Sequence, residues 1–192
     1  MTTDYYNDNA QNFYDSTVDV DMTDLYCKFL PVVGAEGRIL DLGCGSGRDT
    51  KYFVDLGYKV DAIDASKEMV RLASIKTGLK VKHMTFEQFN PDFQYDGIWA
   101  CASLLHVEPK ALKSMLVQIS HWLNVSGVLY ASFKYGDGVR VKDGRTFTDM
   151  DEYQLKVLLS AADLILKESW VTYDQRLERN EKWLNALIIK HQ

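Results

Sequence analysis

The stretch Ile39-Leu40-Asp41-Leu42-Gly43-Cys44-Gly45-Ser46-Gly47-Arg48-Asp49 decides the fold. An apolar run carries an acid near its end and passes into a turn with alternate glycines. A second acid, Asp64, closes another apolar run, Val60-Asp61-Ala62-Ile63, seventeen residues after Gly47. This is the pattern of a strand leading to a turn where glycines let the backbone approach a ligand with no Cβ in the way, before a helix begins near Arg48. In a parallel sheet Asp64 stands beside that turn, where its carboxylate can accept hydrogen bonds from both hydroxyls of a ribose. The stretch reads as a nucleoside-binding site.

The glycine spacing selects the ligand. A dinucleotide fingerprint runs Gly-x-Gly-x-x-Gly, whereas Asp41 to Gly47 reads Asp-x-Gly-x-Gly-x-Gly. An acid at the strand end suits a cation better than a pyrophosphate, and S-adenosylmethionine carries an ammonium, a sulfonium and no phosphate. In Leu40 to Gly47 and Asp64 the chain resembles the class I S-adenosylmethionine-dependent methyltransferases, well over residues 36–134 and more loosely at both ends. The compact form resembles the small bacterial members, tellurite-resistance types included. The resemblance implies a Rossmann-like, doubly wound α/β fold. Its sheet has seven strands in the order 3-2-1-4-5-7-6 with the seventh antiparallel, helices on both faces, and here an N-terminal helical lid.

Composition is consistent with one domain over 1–192. Of the 192 residues 46% are hydrophobic and 26% charged, ordinary for a globular chain with a sizeable core. We divide it into a cap at 1–35, a cofactor half at 36–134 and a substrate half at 135–192. The apolar runs are strand-sized and the first residues lack a signal-peptide pattern, so the expectation is a cytoplasmic protein without a membrane partner. Cys27, Cys44 and Cys101 have no metal-ligand spacing, which predicts reduced thiols and no metal site. A net charge of −5 with no basic run argues against nucleic acid. No feature specifies an oligomer.

Periodicity predicts strands at 38–42, 58–63, 79–84, 95–101 and 127–133, alternating with helices, and a terminal hairpin of 164–172 and 183–190. Ser66 is a helix cap, Pro109 suits a first helical position, and Asn124 with Gly127 closes that helix. Thr148 with Asp151 offers a capping box. Met22, Leu25, Tyr26, Phe29 and Leu30 mark an amphipathic helix, and the aromatic segment from Tyr5-Tyr6 to Phe13-Tyr14 reads as the lid.

In a doubly wound sheet the ligand lies beyond the carboxyl ends of the strands. The resemblance places the backbone of Gly43, Cys44, Gly45 and Gly47 near the methionine part of the cofactor and Asp41 near its ammonium. Asp64 goes to the ribose, with Ala65 and Ser66 as neighbours. The acid often found after the third strand is missing, so either Glu87 substitutes or the Thr85–Phe86 backbone makes the polar contact while Phe86 packs on adenine. Small residues from Ala100 to Ser103 suit a backbone passing under the cofactor.

For the acceptor, Tyr6, Tyr14, His106, Lys134, Arg145, Arg179 and Trp183 are the candidates. His106 is either a general base, if a hydroxyl or protonated amine is methylated, or a structural histidine. Lys134, Arg140, Lys142, Arg145, Arg176 and Arg179 form either a basic rim for an anionic small molecule or a set of loop charges offset by Asp137, Asp143, Glu178 and Glu181. The chain lacks the Asn/Asp-Pro-Pro-aromatic motif of adenine and glutamine methylases, having Ala100-Cys101-Ala102-Ser103 there. A small-molecule methyltransferase is the expectation. A non-catalytic binding module and a nicotinamide-dependent oxidoreductase are the competing readings.

Overall fold

The computed structural model describes residues 2–174, 176 and 180–190. Strand β1, Arg38–Leu42, is buried from Ile39 onward. A strand covered on both faces needs such a continuous apolar run. It pairs in parallel with β2, Lys59–Asp64, on one side and with β4, Tyr95–Ala100, on the other. β3, Lys82–His83, extends the sheet beyond β2. β5, Leu123–Lys134, follows β4, and the late strands β8, Leu164–Tyr173, and β9, Lys182–Lys190, complete it. The order is β3-β2-β1-β4-β5-β9-β8, with β9 antiparallel to both neighbours. Counting only strands of this sheet, that is the order the resemblance implies.

Side chains alternate between two apolar layers, as a pleated strand requires. Ile39, Trp99 and Tyr130 pack with Leu25, Tyr26, Phe29 and Val33 of α3, Thr23–Val33, and with Phe53 of α4, Arg48–Asp55. Leu40, Leu42, Ile98 and Ala131 pack on the other face. There they meet Leu112, Met115 and Leu116 of α6, Pro109–Trp122, and Leu155 and Leu159 of α7, Glu152–Ser160. Ser66 caps α5, Lys67–Thr77, as its sequence position indicates. The N-terminal aromatic segment forms α1, Thr2–Asp8, and α2, Ala10–Thr17.

Four local expectations change. The third strand shrinks from six residues to two because the end of α5 takes its donors: Thr77 Oγ1 accepts from the Leu79 amide and Ser74 Oγ from the Val81 amide. α6 runs straight into β5 at Leu123, which has extended backbone, while Asn124 donates to Asp96 instead of ending a helix. The capping box belongs to Asp151 and Gln154, not to Thr148, whose hydroxyl donates to the Val107 carbonyl. The region after β5 is not merely a charged loop but a hairpin of β6, Val139–Lys142, and β7, Arg145–Thr148. Asp143 and Gly144 turn it with φ of 52° and 74°. Positive φ at both turn residues is the mark of a tight Asp-Gly hairpin.

Candidate active site

The glycine turn is built against β2. The amides of Gly43 and Cys44 both donate to the Ile63 carbonyl at 3.0 Å, which folds the loop over the end of that strand. Gly43 has φ of 84°, and a Cβ on it would lie 2.7 Å from the Ser103 Cβ. Neither the backbone conformation nor the space admits a side chain there. Asp64 then sits beside the loop, its Oδ2 accepting from the Gly45 amide at 2.9 Å and its Oδ1 from the Ser66 amide at 2.8 Å. Burial raises its pKa, while the Ser66 and Gly45 amides oppose the shift.

Below the loop lies a buried charge cluster. The Asp49 carboxylate accepts from Arg48 Nε at 2.6 Å, Arg48 Nη2 at 2.9 Å, Trp99 Nε1 at 2.8 Å and the Tyr26 hydroxyl. Burial alone would raise the pKa of Asp49. The Arg48 guanidinium and these hydrogen bonds outweigh it and hold the acid below its ordinary range. Arg48 also reaches the Thr17 carbonyl at the end of α2, tying the cluster to the N-terminal cap. Asp41 is buried next door, accepting from the Thr50 hydroxyl, with its pKa raised by burial and by the charge of Asp49.

One cavity of about 650 Å³ runs from this loop across the carboxyl ends of the strands. Its far half is lined by residues of the N-terminal cap and the β6–β7 hairpin. The Tyr6 hydroxyl lies 2.9 Å from His106 Nε2, and His106 Nδ1 lies 2.8 Å from the Thr146 carbonyl oxygen. A carbonyl only accepts, so Nδ1 carries the proton and Nε2 accepts from Tyr6. On the cofactor side, Asn7 Oδ1 accepts from the Ser66 hydroxyl at 2.8 Å, so α1 bridges the two halves. α1 has no fully buried residue, and these polar contacts together with the ring contacts of Tyr5 and Tyr6 hold it.

The segment 39–127 matches the family model described as a methyltransferase domain. Over these residues the chain is similar to that methyltransferase family. The chain is 33% identical over 95 residues to an uncharacterized methyltransferase of Staphylococcus carnosus, covering 50% of this chain and 46% of that one. It is 36% identical over 76 residues to a ubiquinone biosynthesis O-methyltransferase of Rickettsia typhi, covering 37% and 31%. The chain thus spans about half or less of the curated relatives it matches. In fold it superposes on the 1,6-didemethyltoxoflavin-N1-methyltransferase of Burkholderia thailandensis with a TM-score of 0.84. That match has 23% identity and covers 99% of this chain and 87% of the other.

Within the matched segment and its flanks, the structure gathers most of the expected residues on the cavity wall. Gly43, Cys44, Gly45, Asp64, Ala65, Ser66, Thr85, Phe86 and Ser103 line one half, and Tyr6, His106, Lys134, Arg145 and Trp183 the other. Glu87 lines it too. Asp41, Gly47, Ala100 and Tyr14 do not line it. Asp41 and Gly47 lie beneath the loop, with Gly47 packed on Ala73, and Ala100 is fully buried within β4. Arg179 lies outside the described residues. Sequence reasoning missed Arg48, Asp49, Tyr130, Ser132 and Phe147 as lining residues.

The basic rim is largely neutralised from within. Lys134 pairs with Glu181, Arg140 with Asp149, Arg145 with Asp143, and Arg176 with Asp174. Of the acids expected to offset it, Asp143 and Glu181 do so, joined by Asp149 and Asp174. Glu178 lies outside the described residues. Among the described residues no group of three or more metal-ligating side chains occurs, and no helix is long and apolar enough to cross a membrane.

His106 is in the cavity, but burial pulls its pKa from 6.5 down to about 4. Its neutral form accepts Tyr6, and so weak a base does not suit proton removal near neutral pH. The unfolded chain therefore binds more protons than the native one between the two values, and stability falls as the pH drops from 6.5 toward 4. At ~1.4 kcal/mol per unit this amounts to about 3 kcal/mol. His106→Gln is expected to flatten that part of the stability-versus-pH curve in urea titrations. An unchanged slope would mean that His106 titrates normally.

Proposed function

We propose that the chain is an S-adenosylmethionine-dependent methyltransferase whose acceptor is a small molecule held in the far half of the same cavity. The observation that carries this reading is the placement of Asp64 and the Gly43 cradle on one wall of a chamber that the N-terminal cap also covers. The residues suit the cofactor. Ser103 Oγ is buried beside Gly43 with no hydrogen-bond partner, a polar atom awaiting a ligand. Eight carboxylate residues and six Lys or Arg line the cavity, an acidic balance that favours a ligand of net positive charge.

Asp64 would hold the ribose hydroxyls, the backbone from Gly43 to Gly45 the methionine part, and Thr85 with Phe86 the adenine. Asp41, one layer down, would act on the ammonium only through water. The cofactor supplies a methyl group on a sulfonium. Methyl transfer is an in-line displacement, so the chain's part is to align two molecules and exclude water. The cap does the second through Tyr6, Asn7 and Phe13, the last 3.4 Å from where a Gly45 Cβ would stand. No protein base is assigned. A continuous cavity with room beyond the cofactor half, lined there by Tyr6, His106, Phe147 and Trp183, supports an enzyme over a bare binding module.

Thermal melts test the reading against its nicotinamide rival. S-adenosylhomocysteine at 100-fold its Kd is expected to stabilise the protein by about 2.7 kcal/mol, with NAD and NADH without effect. Stabilisation by the dinucleotides instead would reject it.

A further inference from the structure

Among the described residues three buried side-chain polar atoms have no hydrogen-bond partner: Ser103 Oγ, Arg145 Nε and Asp149 Oδ1. The first two belong to cavity-lining residues, one in each half. Ser103 is accounted for by the cofactor. Arg145 lies at the other end, its guanidinium carbon 3.8 Å from the Tyr5 ring centre, 5.2 Å from that of Phe147 and 5.9 Å from that of Tyr6. Its Nη2 meets the exposed Asp143 at 3.2 Å and its guanidinium also interacts with the Tyr6 hydroxyl, whereas Nε has no partner. A buried donor left unpaired is unfavourable enough that native proteins rarely keep one without a use.

We propose that Arg145 Nε–H reads an oxygen acceptor on the molecule to be methylated, and that this molecule is a flat, uncharged ring compound bearing a carbonyl. The inference rests on the methyltransferase reading and narrows it to a substrate class. The lack of charge follows from the pairing of the rim. Lys134, Arg140, Arg145 and Arg176 are already matched by Glu181, Asp149, Asp143 and Asp174, so these four cations are neutralised before a substrate arrives and offer no excess positive charge to an anion. The flat shape follows from the walls. His106 stands with ring centres 5.6 Å from Tyr6 and 5.0 Å from Phe147, and Tyr173 and Trp183 line the same chamber. Ring faces pack best against another ring.

The test uses protein saturated with S-adenosylhomocysteine and three matched probes: 2-acetyl-6-hydroxynaphthalene, 2-ethyl-6-hydroxynaphthalene and 6-hydroxy-2-naphthoate. Calorimetry is expected to show the acetyl compound binding about tenfold or more tighter than the other two, the range for one hydrogen bond to a charged group. In Arg145→Met the acetyl compound should fall to the level of the ethyl one, with the variant's S-adenosylhomocysteine affinity reporting that it is folded. Equal binding of acetyl and ethyl probes, tightest binding of the naphthoate, or no binding of any probe to cofactor-saturated protein overturns the proposal. Failure of S-adenosylhomocysteine itself to bind is a separate result. It removes the methyltransferase reading and this inference with it.

Discussion

Asp49→Ala is expected to destabilise the protein by about 3–5 kcal/mol, the usual consequence of stranding one member of a buried ion pair. The carboxylate is 6% exposed and serves Arg48, Tyr26 and Trp99 at once. Removing it leaves a guanidinium, a phenol and an indole N–H without their acceptor in the layer between α3, α4 and the sheet. It also lets go of the Arg48 contact to Thr17 that ties α2 down. Asp49→Asn keeps an acceptor but not the charge and should fall between the two. Urea unfolding measures both, and a loss below about 1 kcal/mol for the alanine variant would show that the cluster is incidental.

The second large effect concerns binding. Gly43→Val places a β-branched side chain at φ of 84° with its Cβ 2.7 Å from that of Ser103, in the gap assigned to the cofactor. We expect S-adenosylhomocysteine binding to be lost by calorimetry. Asp64→Ala is the milder probe. It deletes the acceptor for the Gly45 and Ser66 amides as well as for the ribose, and a weakening of about 1–3 kcal/mol is expected. Unaltered affinity in either variant would move the cofactor away from this loop.

Much of this is legible in the sequence. The run from Ile39 to Asp49 specifies strand, turn and helix by local rules alone, and Asp64 falls where the next parallel strand must end. The order of the outer strands was not readable from periodicity and came only with the resemblance. The β6–β7 hairpin was readable but hidden: Val139, Val141 and Phe147 alternate with polar residues around Asp143-Gly144, and the density of charge there suggested a loop. The Asp49 cluster and the pairing of the rim had no such signal. Their partners stand 23 and 50 residues from Asp49 and 47 from each other in Lys134 and Glu181, distances over which sequence carries no register. The depressed pKa of His106 likewise comes from burial between the cap and the hairpin and from the Arg145 charge, with the Thr146 carbonyl opposing the shift, and only the tertiary fold brings these together.

The most direct measurement is a crystal structure of the protein grown with S-adenosylhomocysteine. The account predicts the ribose hydroxyls on Asp64, the chain of Gly43 to Gly45 against the homocysteine part, and Ser103 Oγ engaged. Ligand density elsewhere, or Asp64 still turned only to the Gly45 and Ser66 amides with the nucleoside absent from its side, would contradict it.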